Sequence, residues 1–191
     1  LNIANYLTAG VKPVKELASL LYVDERSLYR LLRALASLGI FEETENEFFQ
    51  NTEMSALLLE DTPGSLKSVA ILYGEEWIWH AYGQLLFSIE NGIQAFERVH
   101  GIPLYKFLQH NRKAATVFNN AMSAYSGIEA DAIVRAYDFS RANKIVDVGG
   151  GEGRLVSALV NENPNARGVV FDLPILEKDA SDSSLQDSRI V

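Results

Sequence analysis

Near the start of the chain, apolar residues recur three and four positions apart: Leu17, Leu20 and Leu21, then Leu28, Leu31, Leu32, Leu35 and Leu38. That spacing gathers them on one side of a helix and predicts amphipathic helices over Val14–Leu21 and over residues 25–38. The joint Tyr22-Val23-Asp24 is short, Asp24 suits the N-cap of the second helix, and Gly39 suits its end. A helix-turn-helix is the expected result. Beyond it, Ile40-Phe41-Glu42-Glu43 and Phe48-Phe49-Gln50 flank the polar turn Thr44-Glu45-Asn46-Glu47, which predicts two short strands and hence a winged helix.

Residues 51–137 are rich in Leu, Ala, Phe, Tyr and Trp, with Gly64, Gly74, Gly92, Gly101 and Pro103 as punctuation, and read as several packed helices. From Asn143 the pattern changes. Lys144–Val148 is a short, mostly β-branched run, residues 154–160 have helical spacing, and residues 168–171 form another apolar strand. Residues 177–184 are polar enough for a loop. The expected organisation is a mainly α N-terminal domain with a winged-helix element over residues 1–139, followed by the start of an α/β domain over residues 140–191.

Composition narrows the function classes. The 191 residues are 48% apolar and 22% charged, enough to bury a core, and the net charge of -8 disfavours phosphate-rich partners. The absence of cysteine excludes disulfides and thiolate metal sites and suits a reducing compartment, so a cytoplasmic location is expected. The opening Leu1-Asn2-Ile3-Ala4-Asn5-Tyr6-Leu7 has neither an initiator Met nor the layout of a signal peptide, and the chain reads as soluble and trimmed at its front. No apolar run approaches the roughly 20 residues that span a bilayer, so no membrane partner is expected.

The most specific signal is Val146-Asp147-Val148-Gly149-Gly150-Gly151-Glu152-Gly153-Arg154-Leu155, followed by Val169-Val170-Phe171-Asp172-Leu173-Pro174. Glycines at a strand-to-helix turn permit torsions that other residues avoid and let the main chain approach a ligand. They also leave the first N–H groups of the helix open to a polar or anionic group. Asp172, ending the second strand, stands where a carboxylate accepts hydrogen bonds from both hydroxyls of a ribose. A dinucleotide fingerprint starting at Gly149 needs glycine where Arg154 stands, and one starting at Gly150 fails at Glu152. By contrast, Asp147-x-Gly149-x-Gly151-x-Gly153 fits the acidic-x-G-x-G-x-G loop of adenosylmethionine enzymes without a mismatch.

With these residues in place, the chain resembles the small-molecule O-methyltransferases of the plant caffeate type and the bacterial polyketide-tailoring type. That family joins a helical, winged-helix dimerisation domain to a Rossmann-like methyltransferase domain. The likeness runs through Ser27-Leu28-Tyr29-Arg30-Leu31-Leu32-Arg33-Ala34-Leu35, Gly39-Ile40-Phe41, residues 96–101, Phe118-Asn119-Asn120-Ala121-Met122, the glycine loop and Phe171-Asp172-Leu173-Pro174. It implies S-adenosylmethionine as cofactor, a small aromatic or polyketide hydroxyl as acceptor, and a homodimer through the helical part. It further implies that Asp147, Gly149, Gly151 and Gly153 form the loop for the methionine end, that Asp172 takes the ribose, and that Ser126 borders the cofactor. Phe118 and Met122 match positions bordering the acceptor. Phe118, Met122 and Ser126 recur at a spacing of four, which a helix–helix core shows equally well. The family's domain continues past the counterpart of Asp172, so the resemblance places the general base beyond Val191 and leaves the catalytic residue unknown.

The resemblance leaves open a relative that binds adenosylmethionine yet catalyses decarboxylation, hydroxylation or a pericyclic step. Arg26, Arg30 and Arg33 share a face of the second helix, where a repressor reads DNA, yet Glu42, Glu43, Glu45 and Glu47 on the wing would face phosphates, so no nucleic-acid partner is expected. His80, His100 and His110 lack metal-ligand spacing, and no metal is expected. Trp77, Trp79, Tyr82, Phe87, Phe96, Tyr105 and Phe107 fit helix–helix core better than the wall of an acceptor pocket.

Overall fold

The computed structural model describes residues 1–60, 62–172 and 187–191. They divide into two compact units, Leu1–Lys67 and Ser68–Val191. The first runs through α1 (Ile3–Tyr6), the two-residue strand β1 (Lys12–Pro13), α2 (Val14–Leu21), α3 (Glu25–Ser37), β2 (Phe41–Glu45), β3 (Phe48–Asn51) and α4 (Glu53–Ala56).

The predicted helix-turn-helix forms where its signals lie. Tyr22 ends α2 in the left-handed region at φ 55°, and the Asp24 carboxylate accepts a 2.8 Å hydrogen bond from the Ser27 amide. That bond caps α3, and the Ser27 hydroxyl, then its amide, hold the Asp24 carboxyl below its ordinary range. Val14, Leu17, Leu28 and Leu32 point inward onto Phe41 and Phe49. Leu20, Leu31 and Leu38 remain exposed, so the apolar stripe is wider than the face this unit buries. The wing is a three-stranded antiparallel sheet in the order β1-β3-β2, with Glu42 opposite Gln50 and Lys12 opposite Phe49. Glu43 closes the hairpin, accepting from the Glu47 amide at 3.0 Å and from the Tyr29 hydroxyl at 3.1 Å. Arg33 on α3 lies 3.9 Å from the same carboxylate.

The second unit holds α5 (Lys67–Gly74, whose first residue belongs to the first unit), α6 (Glu76–Tyr82), α7 (Leu85–Asn91), α8 (Ala95–His100), α9 (Leu104–His110) and the 25-residue α10 (Arg112–Ala136). Trp77 is buried against Phe96 and Phe107, with ring centroids 6.2 and 5.6 Å away. The His100 ring sits 4.3 Å from that of Phe96, and its Nε2 lies 2.9 Å from the Trp77 carbonyl oxygen. These aromatics form helix core, whereas Trp79, Tyr82 and Tyr105 are mostly exposed.

After α10 come β4 (Lys144–Val148), α11 (Arg154–Glu162) and β5 (Arg167–Phe171). β4 and β5 pair in parallel, Lys144 opposite Arg167 through Val148 opposite Phe171, and Val156 and Val160 of α11 pack with Ile145 and Val170. Helix and strand approach so closely at Gly168 that a Cβ there would stand 2.7 Å from Val156 Cγ2. Residues 189–191 run beside the other edge of β5, with Ile190 bridging Gly168 in parallel. The mainly α N-terminal part with its winged helix, followed by the opening of an α/β fold, matches the architecture expected from the sequence. Leu173, Pro174 and the loop expected over residues 177–184 lie outside the described residues. No helix among the described residues is long and apolar enough to cross a membrane.

Candidate functional site

The glycine run forms the turn from β4 into α11, and each glycine answers a local demand. Gly149, Gly151 and Gly153 have φ values of 77°, 54° and 73°, in the left-handed region where a Cβ is strained. Gly150 has an ordinary φ but no room, since a Cβ there would lie 2.8 Å from Asp147 Cγ. Three backbone contacts set the shape of the turn. The Gly149 amide donates to the Phe171 carbonyl at 2.7 Å, tying the turn to the end of β5, and the Gly153 amide donates to the Gly150 carbonyl at 2.8 Å. The Gly151 amide donates to Asp172 Oδ2 at 2.7 Å, which brings the second sequence motif onto the first.

Among the described residues, no atom lies within 4 Å of where a Cβ would stand at Gly149 or Gly151. Gly153 is the N-cap of α11, so the positive end of that helix's dipole lies at the turn. Two carboxylates flank it. Burial pushes the Asp147 carboxyl above its ordinary value, the nearby Asp172 charge pushes it further, and a hydrogen bond from the Val156 amide works against both.

Phe118, Met122 and Ser126 all lie on α10 and are half-buried, and the Phe118 ring meets that of Tyr105 edge-on at 6.3 Å. A hydrogen bond ties α10 to the turn: the Ser123 hydroxyl donates to Glu152 Oε2 at 2.5 Å. Arg154 Nε stands 3.7 Å from the same oxygen. Neither Ser123 nor Glu152 stood out as a site residue in the sequence. Glu152 carried a signal, being the charged residue inside a run of glycines, while Ser123 looked like any polar position on a helix.

A sequence profile of the O-methyltransferase domain matches residues 79–190, and one of the O-methyltransferase dimerisation domain matches residues 1–61. The chain is 39% identical over 174 residues to phenazine O-methyltransferase PhzM of Lysobacter antibioticus, covering 91% of this chain and 51% of that protein. In three dimensions it is similar to the crystal structure of LaPhzM, with a TM-score of 0.83 and 39% identity over 91% of this chain and 52% of that one. It is also similar to the O-methyltransferase NcsB1 from neocarzinostatin biosynthesis, solved with S-adenosylmethionine and 2-hydroxy-5-methyl naphthoic acid. There the TM-score is 0.71 at 26% identity, covering 91% of this chain and 54% of that one. The chain spans about half the length of the curated relatives it matches.

Proposed function

This chain belongs to the O-methyltransferase family, and we propose that the protein moves a methyl group from S-adenosylmethionine to a hydroxyl of a small aromatic or polyketide acceptor. The observation that carries the reading is the glycine turn. Gly149, Gly151 and Gly153 give it left-handed torsions, the N-terminus of α11 begins at Gly153, and the Asp172 carboxylate is held against it at 2.7 Å from the Gly151 amide. An amino-acid carboxylate suits the helix terminus, and a ribose suits the carboxylate at the end of β5. The residues present fit the cofactor.

On this reading Gly149, Gly151 and Gly153 hold the methionine end, with Asp147 shaping the turn from beneath Gly150, and Asp172 accepts the ribose hydroxyls. Ser126 borders the cofactor, and Phe118 and Met122 border the acceptor. The cofactor when bound supplies an electrophilic methyl on a sulfonium. The part of the chain described here contributes chiefly orientation: a turn fixed at both ends holds its ligand in one pose, and alignment of two bound reactants accounts for much of such a rate. Residues 1–139 serve dimerisation, with a second copy as partner, and residues 140–191 open the cofactor domain. The NcsB1 complex, in which the cofactor and an aromatic acid are both bound, supports the same pairing of ligands here.

The test is calorimetric titration of the full-length protein with S-adenosylmethionine and S-adenosylhomocysteine, beside Asp172→Ala. Both ligands are expected to bind the wild type, and the variant to bind at least about tenfold more weakly, the order of effect of losing hydrogen bonds to a charged group. A folded wild type that binds neither ligand overturns the reading.

A further inference from the structure

A turn built of several glycines is cheap to bend, because each samples conformations closed to other residues. A ligand that must first order such a turn loses affinity to the ordering cost, and contacts that order it beforehand return that affinity. Two ties run to the strand end, Gly149 N–H to the Phe171 carbonyl and Gly151 N–H to Asp172, and one is internal to the turn, Gly153 N–H to the Gly150 carbonyl. Another tie runs in a different direction. Glu152 stands between the left-handed Gly151 and Gly153, and its carboxylate receives the Ser123 hydroxyl at 2.5 Å with Arg154 Nε at 3.7 Å. Ser123 is 29 positions away in sequence, on a helix that packs along α11.

We infer that Glu152 is a positioning residue, joined to α10 through Ser123, which fixes the glycine turn in its ligand-receiving shape before the cofactor arrives. The bond has a hydroxyl donor and a carboxylate acceptor, the short, charge-assisted kind. Arg154, on the first turn of α11, faces the same oxygen and offsets a negative charge that would otherwise repel an anionic ligand group at this helix end. Ser123 lies between Met122 and Ser126, so the tie also fixes the height along α10 at which the turn meets the helix. The statement about affinity rests on the cofactor reading above; the statement about the turn does not.

The experiment has one arm for each, in the full-length protein. In the first, S-adenosylhomocysteine is titrated into the wild type, Ser123→Ala, Glu152→Ala, the double variant, and Ser123→Thr. Each alanine variant is expected to bind about fivefold more weakly, the size of one hydrogen bond's net contribution. Glu152→Ala removes the pairing with Arg154 as well, so the double variant should be no weaker than Glu152→Ala, which already lacks the Ser123 contact. Ser123→Thr keeps the hydroxyl and should bind like the wild type, which a loss of helix packing alone would not produce. In the second arm, amide hydrogen exchange is followed without ligand. Ser123→Ala should speed exchange at Gly151 and Gly153 about fivefold and leave Leu159 and Val160, in the body of α11, unchanged. Effects that multiply in the double variant, or exchange at the turn equal to wild type, overturn the inference. If the wild type binds no S-adenosylhomocysteine, the exchange arm decides alone: faster exchange retains the tether while the cofactor reading falls, and unchanged exchange removes the tether as well.

Discussion

Asp147 shows how one side chain carries both structure and charge. It lies under Gly150 so tightly that any larger residue there would collide with it, and the Val156 amide favours its charged form. Burial, then the Asp172 charge, raise its pKa above the ordinary 3.8. A carboxyl whose folded pKa is raised contributes stability that is fully present below the unfolded value and is lost as pH climbs through the folded one. Asp147→Asn keeps the shape and an acceptor for Val156 but does not titrate. Compared by urea unfolding, variant and wild type should match near pH 3, and the variant should become the more stable at pH 7. Because the group is only half-buried, the gain should stay under about 1 kcal/mol. A variant no more stable at pH 7 would mean that the Asp147 charge is already well solvated. The need for glycine at positions 149, 151 and 153 was legible in the sequence, since only a turn with left-handed torsions makes use of so many. That Gly150 is needed for lack of space was not, because the obstacle is the way the Asp147 side chain folds back.

At the scale of elements, local signals worked where the forces are local. The cap of α3 is made by residues three positions apart, so Asp24 could be recognised in sequence. Ser55 could not. It is fully buried at the start of α4, where its Oγ accepts from the Thr52 amide at 2.8 Å and donates to Asn51 Oδ1 at 3.0 Å, while Asn51 Nδ2 donates to the Ala4 carbonyl at 2.9 Å. Thr52 Oγ1 in turn donates to the Gly39 and Ile40 carbonyls at 2.8 and 2.9 Å. This network fastens α4 to α1 and to the end of α3. Ser55→Ala should cost about 1 kcal/mol in urea unfolding, since it removes hydrogen bonds to two half-buried partners. A cost near zero would show that water reaches them. The strand β1 also escaped prediction, because two residues, Lys12 and Pro13, are too few to show a period, and only their pairing with β3 makes them a strand.

At the scale of the whole molecule, the first unit leaves Leu20, Leu31, Leu38 and a nearly fully exposed Tyr22 on its surface. The dimerisation-domain match over residues 1–61 points to the use of such a surface. Sedimentation equilibrium of the full-length protein should give the mass of two chains, and a mass of one chain would remove the proposed role of this part. By itself the sequence determined α2, α3 with its caps, β4, α11, and a glycine turn fit for a nucleoside, because periodicity, capping and left-handed torsions act over a few residues. The tertiary structure alone decided which leucines are buried, that residues 189–191 line the edge of β5, that Gly168 lets α11 close onto the sheet, and that Ser123 meets Glu152. Each of those depends on groups far apart in the chain, whose meeting is set by the packing of whole elements and leaves no pattern in either segment alone.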